Sequence, residues 1–74
     1  MAEPPIDFAL RGEFITLDAL LKANGLAASG GAAKVLIVEG GVRVNGETET
    51  RRGRKLRPGD EVRLGANLVR VRSP

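Results

Sequence analysis

Hydrophobic positions near the start of the chain follow the period of a helix. Three leucines between residues 17 and 21 recur at i, i+3 and i+4, which places them on one helical face. Thr16 precedes them as a good N-cap, and Gly25 follows where a left-handed residue beyond the C-cap is favoured. The pattern predicts a first helix over residues 16–25, which must be held by packing because it is short.

A second helix is predicted after a short connection. Ser29 is a suitable N-cap, the helix runs to about Glu39, and a pair of glycines ends it. Residues 35–38 form a continuous apolar run that could also be a strand. The cap and the alanines upstream favour a helix, so that the two helices form a helix-turn-helix-like pair.

Alternation with period two begins at Val42. Val42 and Val44 alternate with Arg43, and Asn45-Gly46 is the strongest short signal for a hairpin turn. The polar residues 47–50 suit a return strand at the edge of a sheet. The sequence therefore predicts a hairpin immediately after the second helix.

A second hairpin is predicted in the last part of the chain. Pro58-Gly59 forms a turn, and strands over residues 61–64 and 68–72 alternate apolar and charged side chains. Between the hairpins, residues 51–57 form a basic loop or irregular strand around Leu56, and the turn and Leu56 anchor its far end.

The predicted fold class is α+β, with two short helices packed on a small twisted antiparallel sheet of four to five strands. Residues 13–15 could form one further short strand. We expect a single domain over residues 13–72. Residues 1–12, which include the paired prolines Pro4 and Pro5, are expected to form an N-terminal tail that could be flexible.

The charge is distributed unevenly along the 74 residues. The net charge is +3, but residues 1–49 carry four basic and seven acidic side chains, and residues 50–74 carry eight basic and two acidic ones. Nine of the twelve basic residues are arginines, whose planar fork matches a phosphate group. The C-terminal third therefore suits a polyanion, although a solvated basic face would have the same composition.

Several classes of function lack the residues they need. The chain has no cysteine and no histidine, so it lacks thiolate chemistry, the commonest metal ligand and the commonest general base. No apolar run approaches the roughly 20 residues that span a membrane, and the first residues do not resemble a signal peptide. We therefore expect a non-enzymatic binding module with no cofactor, no metal site, no small-molecule substrate and no membrane contact.

A set of spaced elements covers about residues 14–64 and resembles a known family. These elements are Thr16-Leu17-Asp18, Gly25-Leu26, Ser29, Ala33-Lys34, Gly40-Gly41-Val42-Arg43-Val44-Asn45-Gly46 and Pro58-Gly59-Asp60-Glu61-Val62. Together they resemble the S4 domain, or alpha-L motif, the RNA-binding domain named after small-subunit ribosomal protein four. The run at residues 49–60 is similar to that of short bacterial members that consist of this domain alone.

The resemblance implies a bacterial, cytoplasmic protein that holds structured RNA along the helix pair and the adjoining hairpin. It also implies that the RNA is ribosomal RNA or part of a ribosomal assembly, with ribosomal subunits or proteins as further partners. Many members carry arginine where this chain has Thr16, and another where it has Gly30. The arginine-rich segment at residues 51–57 could compensate for those two lost contacts.

Candidate RNA contacts lie in three places. The start of the second helix offers backbone N–H groups to a phosphate, assisted by a lysine one turn later, although an ordinary capped helix start would look the same. Arg43 should leave the core face and reach solvent beside the helix pair, and Asn45 is first of all a turn residue. The third place is the arginine-rich segment. The full set is Ser29, Gly30, Lys34, Arg43, Asn45, Arg51, Arg52, Arg54 and Lys55.

Two other functions compete with RNA binding. A protein–protein adaptor could place the basic strip on an acidic partner surface. A DNA-binding helix-turn-helix protein is disfavoured because Lys34 would be the only long basic side chain on the recognition helix. The only aromatic residues are Phe8 and Phe14, too few for a row of base-stacking platforms, so contacts to backbone and shape are expected.

Overall fold

The structure, a computed structural model, describes residues 4–74. Two helices and seven strands lie in this part of the chain. In chain order they are β1 (Ile6–Ala9), β2 (Ile15–Thr16), α1 (Leu17–Ala23), α2 (Gly30–Val38), β3 (Val42–Val44), β4 (Glu47–Thr48), β5 (Lys55–Leu56), β6 (Glu61–Leu64) and β7 (Asn67–Arg72). Neither helix is long and apolar enough to cross a membrane, within the residues described.

The α+β fold class is confirmed, with one correction to the sheet. Five strands pair in the order β1-β7-β6-β3-β4, and β2 and β5 form a separate two-stranded sheet. The β3–β4, β3–β6 and β6–β7 pairs are antiparallel as predicted, but β1 runs parallel to β7. The sheet is therefore mixed. After β1, at one edge of the sheet, the chain passes through the two helices before it forms β3 and β4 at the other edge.

Residues 6–10 are a strand and its continuation, where a tail was expected. Ile6 and Phe8 lie opposite Val69 and Val71 and pack against the core from β1. Leu10 is almost fully buried, and its N–H donates to the Arg72 carbonyl at 2.8 Å. The alternation of apolar and other residues in β1 supplies this buried face; residues 1–3 of the expected tail lie outside the described residues.

Both helices end as predicted from their glycines. Gly25 has φ +70° and Gly40 has φ +84°, the left-handed conformation that glycine adopts without strain. After α1, the Leu26 N–H reaches the Leu21 carbonyl at 2.9 Å, which completes a Schellman motif. The apolar run at residues 35–38 is helical, so the alternative strand is excluded.

The core fills the space between the helices and the inner face of the five-stranded sheet. Asn45 and Gly46, with φ +52° and +86°, form the predicted turn that aligns β3 and β4. Burial of a leucine or valine side chain contributes about 1.5–3 kcal/mol each. The largest fully buried side chains are those of Leu17, Leu20, Leu21, Ile37, Leu56, Val42, Val62 and Val69.

Candidate nucleic-acid interface

The segment at residues 51–55, called the basic loop from here on, is fastened to the start of α1. The Leu17 N–H donates to the Arg54 carbonyl at 2.9 Å, and the Asp18 N–H donates to the Arg52 carbonyl at 3.1 Å. The first N–H groups of a helix have no partner within the helix. Thr16 occupies the N-cap position, but its hydroxyl makes no capping bond, so the loop carbonyls supply partners instead.

The far end of the basic loop is anchored by β5. Leu56 is fully buried and lies opposite Ile15 of β2, while Lys55 lies opposite Thr16. The predicted anchor at Leu56 is therefore confirmed. The predicted strand at residues 13–15 is shifted, because β2 begins only at Ile15.

Glu49 holds the basic loop together from within. Glu49 is 6% exposed, and its carboxylate accepts hydrogen bonds from Arg51 Nε at 3.0 Å and Arg51 Nη2 at 3.1 Å. It also accepts from the Arg51 backbone N–H at 3.1 Å and from Arg54 Nη1 at 2.9 Å. These bonds, those of the Arg51 side chain first, lower the pKa of Glu49 to about 2. The same ion pair raises the pKa of Arg51.

Sequence reasoning missed Glu49 as a functional residue. Alternation placed it on a polar edge strand, but β4 ends at Thr48 and the chain turns inward after it. The signal that could have found it is a carboxylate two and five residues before arginines in an otherwise basic run. In an irregular segment, spacing along the chain does not determine which side chains meet, so this pattern did not predict the ion pairs of Glu49.

The cationic groups of the basic loop remain accessible to a ligand. The Arg51 side chain is 73% exposed although it binds Glu49, and the Arg54 side chain is 34% exposed. Arg52 is exposed, and Lys55 Nζ lies 4.9 Å from the centre of the half-exposed Phe14 ring. Four positive charges against one carboxylate leave a surplus of three on this small surface.

The start of α2 is a capped helix terminus with open space around it. Ser29 Oγ accepts the Ala32 N–H at 3.1 Å, so the serine acts as the predicted N-cap. A Cβ placed on Gly30 would meet no atom within 4 Å, and Lys34 is exposed one turn later. Hydrogen bonds fasten the basic loop to α1, whereas these residues begin the other helix.

Two predicted contacts lie elsewhere. Arg43 projects from the face of the sheet that points away from the helices, because Val42 and Val44 occupy the inner face. The expectation that it lies beside the helix pair is therefore wrong. The Asn45 amide is engaged within the protein, since its Nδ2 donates to Asp60 Oδ1 at 3.0 Å and its Oδ1 accepts the Glu61 N–H at 2.9 Å.

Metal binding finds no support in the described part of the chain. Within residues 4–74, no three side chains of the histidine, cysteine, aspartate or glutamate types come together in a way that could hold a metal ion.

Comparison with known proteins places these features in a family context. A family model described as the S4 domain matches residues 8–72. The chain is 44% identical over 64 residues to the probable ribosome maturation protein RlbA of Bacillus subtilis, with 86% of each chain covered. It is 42% identical over 52 residues to the putative RNA-binding protein YbcJ of Escherichia coli, covering 70% of this chain and 74% of YbcJ.

A solved structure shares the fold. The solution structure of E. coli YbcJ, described as revealing an alpha-L motif involved in RNA-binding, superposes with a TM-score of 0.64 and 33% sequence identity. The match covers 93% of this chain and 86% of that one.

Proposed function

The chain belongs to the S4 domain family, and we propose that it is a non-enzymatic protein that binds the backbone phosphates of structured RNA. The name of one relative and the description of a similar structure refer to RNA binding by those proteins. The basic loop is the proposed principal contact. Ser29, Gly30 and Lys34 at the start of α2 are proposed as further contacts.

The observation that carries this proposal is the preorganised state of the basic loop. Backbone hydrogen bonds to α1 fix its path, and Glu49 fixes two of its guanidinium groups, while Arg51 remains 73% exposed. Cations held in place before binding lose less conformational entropy when a ligand arrives. An arginine fork that is fixed and exposed suits a phosphate better than a mobile basic tail does.

We further propose that the target is ribosomal RNA or a ribosome-associated complex. Support for this more specific target comes from the relative named as a probable ribosome maturation protein. The match spans 86% of each of the two chains. Crosslinking in cells followed by sequencing of the bound RNA tests it. Enrichment of ribosomal RNA is expected, and enrichment of other transcripts alone would overturn it.

A salt titration of RNA binding tests the phosphate contacts. Arg52→Gln removes an exposed charge, and for a duplex stem the slope of log affinity against log salt should fall by about 0.9 per lost contact. Lys22→Gln is the matched control, because Lys22 is exposed in the last turn of α1, away from the basic loop. Equal affinities for the two variants, or binding that salt does not weaken, would overturn the proposal.

Competition separates RNA binding from the adaptor function. Free ribosomal RNA should displace an RNA-binding protein from its cellular complex, because the free RNA and the bound RNA compete for the same cationic side chains. An adaptor that used the basic loop on an acidic protein surface would stay bound to its protein partner after the RNA is digested.

A further inference from the structure

Two arginines lie side by side on the outer face of the sheet. Arg43 of β3 is directly opposite Arg63 of β6 in the antiparallel register, and both side chains are exposed. Cross-strand neighbours have Cβ atoms about 4.5–5.5 Å apart, and like charges in that position destabilise a sheet. The register thus places two like charges side by side on β3 and β6, an arrangement that we expect to be unfavourable in the free protein.

The other arginines on this face have carboxylate partners. Arg72 Nε lies 2.7 Å from Asp7 Oδ1, and Arg70 Nε lies 3.2 Å from Glu61 Oε2. Arg43 and Arg63, by contrast, have no carboxylate oxygen within 4.0 Å among residues 4–74. The uncompensated charge of the outer face is therefore concentrated on this one pair.

The cross-strand neighbours of the pair leave it open. Thr48 lies opposite Arg43 on the other side, and Leu68 lies opposite Arg63. Shallow concavities flank the pair, one bordered by Gly41 and Gly65 and the other by Gly46, Leu68 and Glu61, whose carboxylate is paired with Arg70. Glycine leaves room for a phosphate to approach the guanidinium groups closely.

The pair and the basic loop lie on different sides of the molecule. The basic loop is fastened to α1, which packs on the inner face of the sheet, whereas Arg43 and Arg63 project from the outer face. One straight RNA helix lying along the basic loop and α1 would leave the outer face free.

We propose that Arg43 and Arg63 form a second phosphate-binding site, so that the protein bridges two segments of RNA on opposite faces. This inference rests on the proposed RNA-binding function. A phosphate would bind between the two guanidinium groups and remove their mutual repulsion. A protein partner fits less well, because interfaces between proteins are centred on apolar and aromatic anchors. Among residues 4–74, the half-buried Leu68 is the one large apolar side chain on this face.

Stoichiometry with a short hairpin RNA tests the proposal. In sedimentation at low salt, the wild-type protein should bind two RNAs, and Arg43→Gln/Arg63→Gln should bind one with unchanged affinity for the first. Because the pair would neutralise one phosphate, the second binding step to a duplex stem should weaken about 3.5-fold over a fourfold rise in salt. Arg70→Gln/Arg72→Gln is the matched control, because those arginines lie on the same face and are already paired.

Several outcomes would overturn the inference. A single RNA bound to the wild type, or two RNAs still bound to Arg43→Gln/Arg63→Gln, would each do so. Binding of a polyglutamate peptide that this double variant abolishes, with RNA stoichiometry unchanged, would assign the pair to an acidic protein instead. Failure of the proposed RNA-binding function can be told apart from failure of this inference, because neither the wild type nor any variant would then bind the hairpin.

A measurement without RNA tests the repulsion separately. Arg43→Gln should raise the melting temperature of the free protein at low salt, and added salt should reduce that gain because it screens the pair. An unchanged or lower melting temperature at low salt would contradict the repulsion on which the site depends. The same melting curves show that the variant is folded.

Discussion

The Glu49 carboxylate accepts hydrogen bonds from both Nε and Nη2 of Arg51, at 3.0 and 3.1 Å, in a bidentate ion pair. The pairing uses the Nε and Nη2 donors, and the Arg51 side chain as a whole remains 73% exposed. A buried carboxylate therefore sets the shape of a surface that is otherwise positively charged. This relationship decides how the loop should respond to pH and to substitution.

The free energy of unfolding should fall as the pH is lowered from about 4.5 towards 2. The pKa of Glu49 is lowered to about 2 in the folded protein, so the unfolded chain binds the proton more tightly. The stabilisation is fully present above the unfolded value of 4.5 and is lost as the pH falls through the folded value. Urea unfolding at a series of pH values measures this dependence.

Glu49→Gln should flatten that part of the pH profile. Glu47→Gln is the matched control, since Glu47 lies two residues earlier, is exposed and takes no part in the ion pair. A Glu49→Gln profile as steep as that of the wild type would show that other groups cause the acid loss.

Glu49→Ala should weaken RNA binding even though it makes the protein more positive. Ordering two released arginine side chains on binding costs about 0.5–1.5 kcal/mol each. In return, removing the Glu49 charge relieves about 1 kcal/mol of repulsion towards a phosphate bound on the solvent side of the loop, where water screens the interaction. We expect a net loss of up to about 2 kcal/mol, or about thirtyfold in affinity, and a fall of about 1–3 kcal/mol in unfolding free energy.

Fluorescence anisotropy with a labelled hairpin RNA measures that affinity. Glu47→Ala makes the same change in net charge outside the Glu49 network and should bind RNA as tightly as the wild type or more tightly. Tighter binding by Glu49→Ala than by Glu47→Ala would show that charge, not preorganisation, governs the interaction.

Gly30→Arg should strengthen RNA binding. The S4 resemblance places an arginine at this position in many members, and a Cβ here would meet no atom within 4 Å. One added phosphate contact should steepen the salt slope by about 0.9 on a duplex stem. Gly30→Gln adds a long neutral side chain at the same site and should leave the slope unchanged; equal slopes for both variants would exclude a phosphate contact there.

Leu56→Ala should cost about 2–5 kcal/mol of unfolding free energy, because it opens a cavity in the core. Leu56 also anchors the far end of the basic loop, so RNA affinity should fall in the variant while it is still folded. Val35→Ala is the aliphatic control, since Val35 is 53% exposed on α2 and should change stability by no more than about 0.5 kcal/mol. Chemical denaturation of the three proteins compares the costs.

Local pattern accounts for most of the helices and hairpins. Ser29, Gly25 and Asn45-Gly46 each act within a few residues of chain, and each takes the conformation that its type predicts. β1 was missed because its partner, β7, lies about sixty residues later in the sequence. A parallel edge strand of four residues gives too little periodicity to be recognised without that partner.

The sequence by itself determined the element types, the turns, the uneven charge and the likeness to the S4 domain, because these depend on residue identity and short spacing. Tertiary structure decided that the basic loop caps α1, that Glu49 holds the arginines, and that Arg43 lies opposite Arg63. The residues that make those contacts are not regularly spaced along the chain, so no periodic pattern in the sequence indicates them. Only the packing of helices against one face of the sheet fixes which charged side chains meet a carboxylate and which remain uncompensated in solvent.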